Sequence, residues 1–188
     1  WGSVGAGTGA RSGGLKGGVG TASARIEIDG VDVMVGALAV VNSVGSVIDM
    51  ATGLPWEPSG LRVKRPTRAE RVAIVDAASS TGPSLNTTIG VIATSALLDK
   101  AEASKLASVA HDGLARAIRP AHAMTDGDTI FTLATGEVPL SDEPSDHVAA
   151  INSLLRSSAD TFAAACTHAI LAASTIGDAP AWSDLVDT

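Results

Sequence analysis

Two β-branched, largely apolar runs, Val19–Ile28 and Val31–Val41, are separated only by Asp29-Gly30, the pair favoured in a two-residue type I′ turn, and together they predict a β-hairpin. A third apolar run, Thr88–Ala96, predicts another strand. It leads into Asp99-Lys-Ala-Glu102, where Asp99 can cap a helix and Glu102 can close a capping box, so a helix starts near Lys100. Leu106, Val109, Ala110, Leu114, Ala117 and Ile118 then recur at spacings of three and four, and Pro120 stops the run. Thr129–Thr135 predicts a short strand. A second long helix is expected over about Asp146–Thr175, with Val148, Ile151, Leu155, Phe162, Cys166 and Ile170 on one stripe and Gly177 as its stop. The glycine-rich start, Trp1–Gly20, reads as a loop with close backbone approaches. Trp56–Pro83 shows no period and reads as a long surface excursion.

The order β, β, β, α, β, α, with strands too apolar to face water on either side, implies one α+β domain whose sheet lies between layers, helices covering at least one face. The 188 residues and 45% hydrophobic content suffice for a sizeable core. Because the sequence begins at Trp1 inside a glycine-rich loop, a preceding segment is expected.

Charge and composition remove several function classes. The net charge of −7 is spread along the chain, and the one basic cluster, Arg62–Arg71, has no interleaved aromatics, so nucleic acid is not an expected partner. No apolar run reaches the ~18 residues needed to cross a bilayer and no signal peptide is visible; a cytoplasmic protein is expected. Cys166 is the only cysteine and falls on an apolar stripe, where it packs as a small hydrophobe. His111, His122, His147 and His168 show no metal-ligand spacing, so no metal is expected, and none pairs with an Asp near Thr87 in an evident dyad. The glycine string Val4–Ala10 has the weak G-x-G-x-x-A form of a dinucleotide fingerprint, but without a preceding strand or a following helix no cofactor is expected.

The informative segment is Gly82-Pro-Ser-Leu-Asn-Thr-Thr-Ile-Gly90, where a turn-rich linker meets a strand at two hydroxyl residues. Alone, it reads as a strand start. It occurs, however, with the run His111-Asp-Gly-Leu-Ala-Arg-Ala-Ile-Arg-Pro120 and with Thr125-Asp-Gly-Asp-Thr-Ile-Phe131. Gly14-Leu-Lys-Gly-Gly-Val-Gly-Thr-Ala-Ser23, Val35-Gly-Ala-Leu-Ala-Val-Val-Asn-Ser43 and Asp49-Met-Ala-Thr-Gly53 precede them. In this order, and over nearly the whole chain, the set resembles the DmpA-like L-aminopeptidase/D-esterase family (peptidase family S58), which includes β-aminopeptidases and nylon-oligomer (6-aminohexanoate-oligomer) hydrolases.

The resemblance implies a four-layer αββα sandwich of the N-terminal-nucleophile type, here lacking its N-terminal part. It further implies self-cleavage between Asn86 and Thr87, so that 1–86 ends an α-chain and 87–188 forms a β-chain. Thr87 would be the nucleophile, Asn42 an oxyanion donor through its amide, Asp126 and Asp128 the polar pair beside the nucleophile, and Lys16 a further site residue. The family also uses a tyrosine near the oxyanion, and with no Tyr in the chain that role is unassigned. Homo-oligomers, commonly tetramers, and short peptide or aminoalkanoate-oligomer substrates are implied as well.

Chemistry gives the scheme its sense. A threonine hydroxyl needs a base within reach, and a cut before Thr87 would free an α-amine with a pKa of about 7.7–8.0 beside that hydroxyl. Two other readings remain open: an unprocessed relative serving as a binding or scaffold subunit, and a cofactor-binding domain built on the glycine-rich start.

Overall fold

The computed structural model describes residues 1–57, 60, 63–79 and 86–187. The glycine-rich start is not wholly irregular. After a 3₁₀ turn at Gly5–Gly7 it forms a small ladder of β1 (Arg11–Ser12) and β2 (Leu15–Lys16). The predicted hairpin is present as β3 (Gly18–Ile28) and β4 (Val31–Val41), with Ile28 opposite Val31. Asp29 and Gly30 take φ of 51° and 76°, the left-handed pair that a type I′ turn requires.

The expected excursion contains α1 (Arg68–Ala78), whose cap Thr67 and N3 residue Glu70 form a reciprocal capping box. Its last part, with Gly82-Pro-Ser-Leu85, lies outside the described residues. Then follow β5 (Ile89–Ala96), α2 (Lys100–Ala117), β6 (Thr129–Val138) and α3 (Pro144–Leu171). The Asp99/Glu102 capping box stands as expected, and β6 runs three residues past the expected strand. Of the expected α3 stripe, Phe162, Cys166 and Ile170 are buried, whereas Val148 is exposed.

The sheet order is β3-β4-β5-β6, antiparallel except for β5/β6, which are parallel because α2 crosses between them. α2 and α3 pack together on one face of the sheet. Small residues allow this closeness: a Cβ on Gly20 would lie 2.0 Å from the Ala165 carbonyl oxygen, and one on Gly113 would lie 2.1 Å from that of Ala159. Val33, Val35, Ile92, Leu106, Leu114 and Phe162 form part of the core between these layers.

The opposite face of the sheet, expected to lie under a further layer, is open among the described residues. Met34, Leu38, Val91, Phe131 and Leu133 all point there and are exposed. Alternation accounts for this, because their neighbours in sequence already face the helices. Among the described residues, no helix is long and apolar enough to cross a membrane.

Candidate active site

Thr87, Asp126 and Asp128 come together where β5 and β6 begin, and the loop after Asn42 is tied to them. Asn86 bridges Asp126 in parallel fashion, ahead of the β5/β6 ladder that starts at Ile89 and Thr129. The Asn86 side is nearly covered, whereas Thr87 is exposed. The Thr87 hydroxyl donates to the carbonyl oxygen of Asn86 at 2.7 Å, and the Gly127 N–H donates to the same oxygen at 3.0 Å. That carbonyl therefore accepts two hydrogen bonds, one from the neighbouring hydroxyl and one from a fixed backbone amide. Gly127 is held close to the hydroxyl, since a Cβ there would lie 2.9 Å from Thr87 Oγ1.

The two aspartates flank this point. Asp128 Oδ1 accepts the Thr88 N–H at 2.9 Å and so fixes the backbone that carries Thr87. Asp126 Oδ2 accepts the Ala123 N–H at 3.0 Å within its own turn, and Oδ1 reaches across to the Val44 N–H at 3.1 Å. That second bond ties the loop after β4, which begins at Asn42, to the turn beside Thr87. Asn42 uses Oδ1 to accept the Arg11 N–H at 3.0 Å, which leaves its NH₂ as the donor end. Ser43 closes the link to the β1–β2 hairpin through its N–H to the Arg11 carbonyl at 2.8 Å and its hydroxyl to Ser12 at 2.9 Å.

Lys16 lies on that hairpin, almost fully buried. Its Nζ donates to the carbonyls of Gly7, Ala10 and Gly17 at 2.6, 2.9 and 2.8 Å, so all three ammonium protons are directed at backbone. Desolvation, with the nearby Arg11 charge adding to it, lowers its pKa from the usual lysine value. Lys16 thus joins the network at the glycine-rich segment, while Thr87, Asp126, Asp128 and the Asn42 loop are linked directly.

One group was not expected from the sequence. The side chain of Asp128 is 3% exposed, and its Oδ2 meets Nδ1 of His122 at 2.7 Å. The His122 ring in turn lies 5.0 Å, centroid to centroid, from that of His111 on α2. Burial lowers the His111 pKa, and the adjoining His122 lowers it further. Cys166 lies on the covered side of the site, where burial raises its thiol pKa and the Asp128 charge adds to the rise. The pairing escapes spacing rules because His122 has φ of 54°, a left-handed bend that turns the chain back on itself before Asp128. A histidine six residues ahead of an aspartate, with a turn sequence between, was the available signal. Among the described residues, no group of three or more His, Cys, Asp or Glu is placed to hold a metal ion.

Comparison with known proteins bears on the family and the fold. The sequence matches peptidase family S58 over residues 1–180. It is 46% identical over 191 residues to an uncharacterized aminopeptidase of Mycobacterium leprae, a match covering 96% of this chain and 51% of that protein. It is also 31% identical over 117 residues to a 6-aminohexanoate-oligomer endohydrolase of a Kocuria species, covering 60% of this chain and 33% of the relative. Among solved structures, the L-aminopeptidase D-Ala-esterase/amidase of Ochrobactrum anthropi, described as a variant of the Ntn hydrolase fold, superimposes with a TM-score of 0.65 at 24% identity, over 94% of this chain and 46% of that one. The chain spans about half the length of the curated aminopeptidases it matches. With the family match extending over nearly all of its length, the chain belongs to peptidase family S58.

Proposed function

We propose that this chain carries the catalytic centre of a self-processing amide hydrolase acting on short peptides or amino-acid oligomers, with Thr87 as its N-terminal nucleophile. The observation that carries the reading is the doubly hydrogen-bonded Asn86 carbonyl, with the Thr87 hydroxyl at 2.7 Å and the Gly127 N–H at 3.0 Å. An amide carbonyl polarised by a fixed N–H, beside a hydroxyl on the next residue, is arranged for an N-to-O acyl shift.

In that step Thr87 Oγ attacks the Asn86 carbonyl carbon and loses its proton. Negative charge builds on the oxygen held by Gly127, and the Thr87 nitrogen leaves with a proton to give an ester. Water then cleaves the ester, leaving a carboxylate on Asn86 and a free α-amine on Thr87. That amine, of a class whose ordinary pKa is about 7.7–8.0, takes the hydroxyl proton when Oγ attacks a substrate amide. The departing substrate amine is protonated, and hydrolysis of the acyl ester restores Thr87.

Asn42 serves as oxyanion donor through its NH₂, because its Oδ1 is already engaged with Arg11. Asp128 and Asp126 hold the two loops in register and make the site anionic, which suits a substrate bearing an ammonium group. Lys16 supports the site by fixing the glycine-rich segment. We place the protein in the cytoplasm as a homo-oligomer, with the tetramer as the form to test by light scattering.

The deciding experiment is the intact mass of the denatured protein beside a Thr87→Ala variant. The expected result is two pieces for the wild type, ending at Asn86 and beginning at Thr87, and a single whole chain for the variant. If both stay whole, the nucleophile scheme fails and a non-catalytic binding subunit of the same fold becomes the better description.

A further inference from the structure

The His122–Asp128 contact lies one residue's backbone away from Thr87, and the scheme above leaves His122 without a role. Asp128 is the buried member of the pair, at 3% side-chain exposure, with one oxygen on the Thr88 N–H and the other on His122 Nδ1. An ionised carboxylate can only accept, so Nδ1 carries the proton in this contact. Taking that donor away would leave Oδ2 of a covered carboxylate unsatisfied, and such a group either rotates toward water or takes up a proton. Either response loosens its other bond, the one to Thr88.

We propose that His122 is a positioning residue for the nucleophile: its Nδ1–H clamps Asp128, and Asp128, through the Thr88 N–H, sets the backbone that presents the Thr87 hydroxyl against Gly127 and the Asn86 carbonyl. The proposal rests on the reading of Thr87 as nucleophile. The ring lies 5.0 Å, centroid to centroid, from that of His111, and it meets Asp128 across the left-handed backbone at residue 122 while 43% of its side chain stays exposed.

The left-handed φ dictates the choice of variants. Glycine and asparagine both tolerate φ of 54°, but only asparagine retains a side-chain N–H close to the place of Nδ1. His122→Gly therefore removes the donor while sparing the backbone, and His122→Asn keeps both. Processing is followed by mass after cell-free translation, and turnover with an alanyl p-nitroanilide as probe. We expect His122→Gly to slow processing and kcat by about 100-fold, the scale of a misplaced nucleophile, with KM nearly unchanged. His122→Asn should recover most of that loss.

Equal rates for wild type and His122→Gly, with Thr87→Ala inert, would overturn the clamp while sparing the nucleophile. A Thr87→Ala variant as active as the wild type would instead overturn the nucleophile reading. Should His122→Gly melt before assay, His122→Gln takes its place, because its longer side chain offers the donor at the position of Nε2. Asparagine and glutamine variants of equal activity would then show that the Nδ1 contact has no positioning role.

Discussion

The space around the Thr87 hydroxyl is small enough that a single methyl group tests it. A Cβ at residue 127 would lie 2.9 Å from Oγ1, closer than real Cβ atoms come, so the hydroxyl must rotate away from the Asn86 carbonyl in Gly127→Ala. We expect that variant to fold normally and to process at least about 10-fold more slowly, since small misplacements of reacting atoms are costly; a time course of intact mass measures it, and an unchanged half-time would contradict the arrangement. Lys16 makes a different kind of prediction. Its ammonium serves three backbone carbonyls in a nearly water-free setting, so Lys16→Met strands three acceptors and should cost about 3 kcal/mol or more in urea denaturation. A loss under about 1 kcal/mol would mean that the carbonyls find other donors. Thr87, Asn42 and the two aspartates could be singled out as candidates from the sequence because they sit in contiguous motifs whose order can be recognised. His122 was not, because its partnership depends on one left-handed residue, which hydrophobic spacing does not report.

At the level of elements, hydrophobic period located those that pack against the sheet and missed the one that does not. α2 and α3 each bury a broad stripe, whereas α1 buries only Ile74, so its helical character rests on its cap. The box Thr67-Arg-Ala-Glu70 was the readable signal. The N-termini of α2 and α3 are joined by a contact with its own pH dependence. Glu102 uses Oε2 in the α2 capping box and Oε1 to accept from Nε2 of His147, whose Nδ1 faces the Ser141 carbonyl at 3.1 Å. The Glu102 hydrogen bond, and then the Ser141 carbonyl, raise the His147 pKa, because only the imidazolium can donate from both nitrogens. A raised folded-state pKa makes this contribution complete below the ordinary histidine value of about 6.5, and it fades as pH rises through the folded-state value. His147→Gln should therefore lower the melting temperature more at pH 5.5 than at pH 9; an equal drop at both would show that the charged form contributes nothing.

The whole molecule is asymmetric about its sheet. One face is closed by α2 and α3, and the other presents Met34, Leu38, Val91, Phe131 and Leu133 side by side, with Leu38 opposite Val91 and Val91 opposite Phe131 in the ladder. A contiguous apolar face of this kind is a surface that folding or assembly normally covers. The four-layer sandwich of the family supplies a cover of matching shape, a second sheet packed about 10 Å away. The strand pattern alone had implied that neither face would meet water, and that inference describes a complete sandwich better than the two layers seen here. Leu38 lies on an inner strand of this face, 41% exposed in the described layers. In the assembled sandwich, Leu38→Glu would place a carboxylate between two sheets and should destabilise the protein by about 3 kcal/mol or more, far beyond the roughly 0.5 kcal/mol typical of a surface substitution. The urea midpoint of the protein reads the difference directly. A shift within the surface range would mean that this face stays in water and that the site at the head of β5 and β6 works from a two-layer domain.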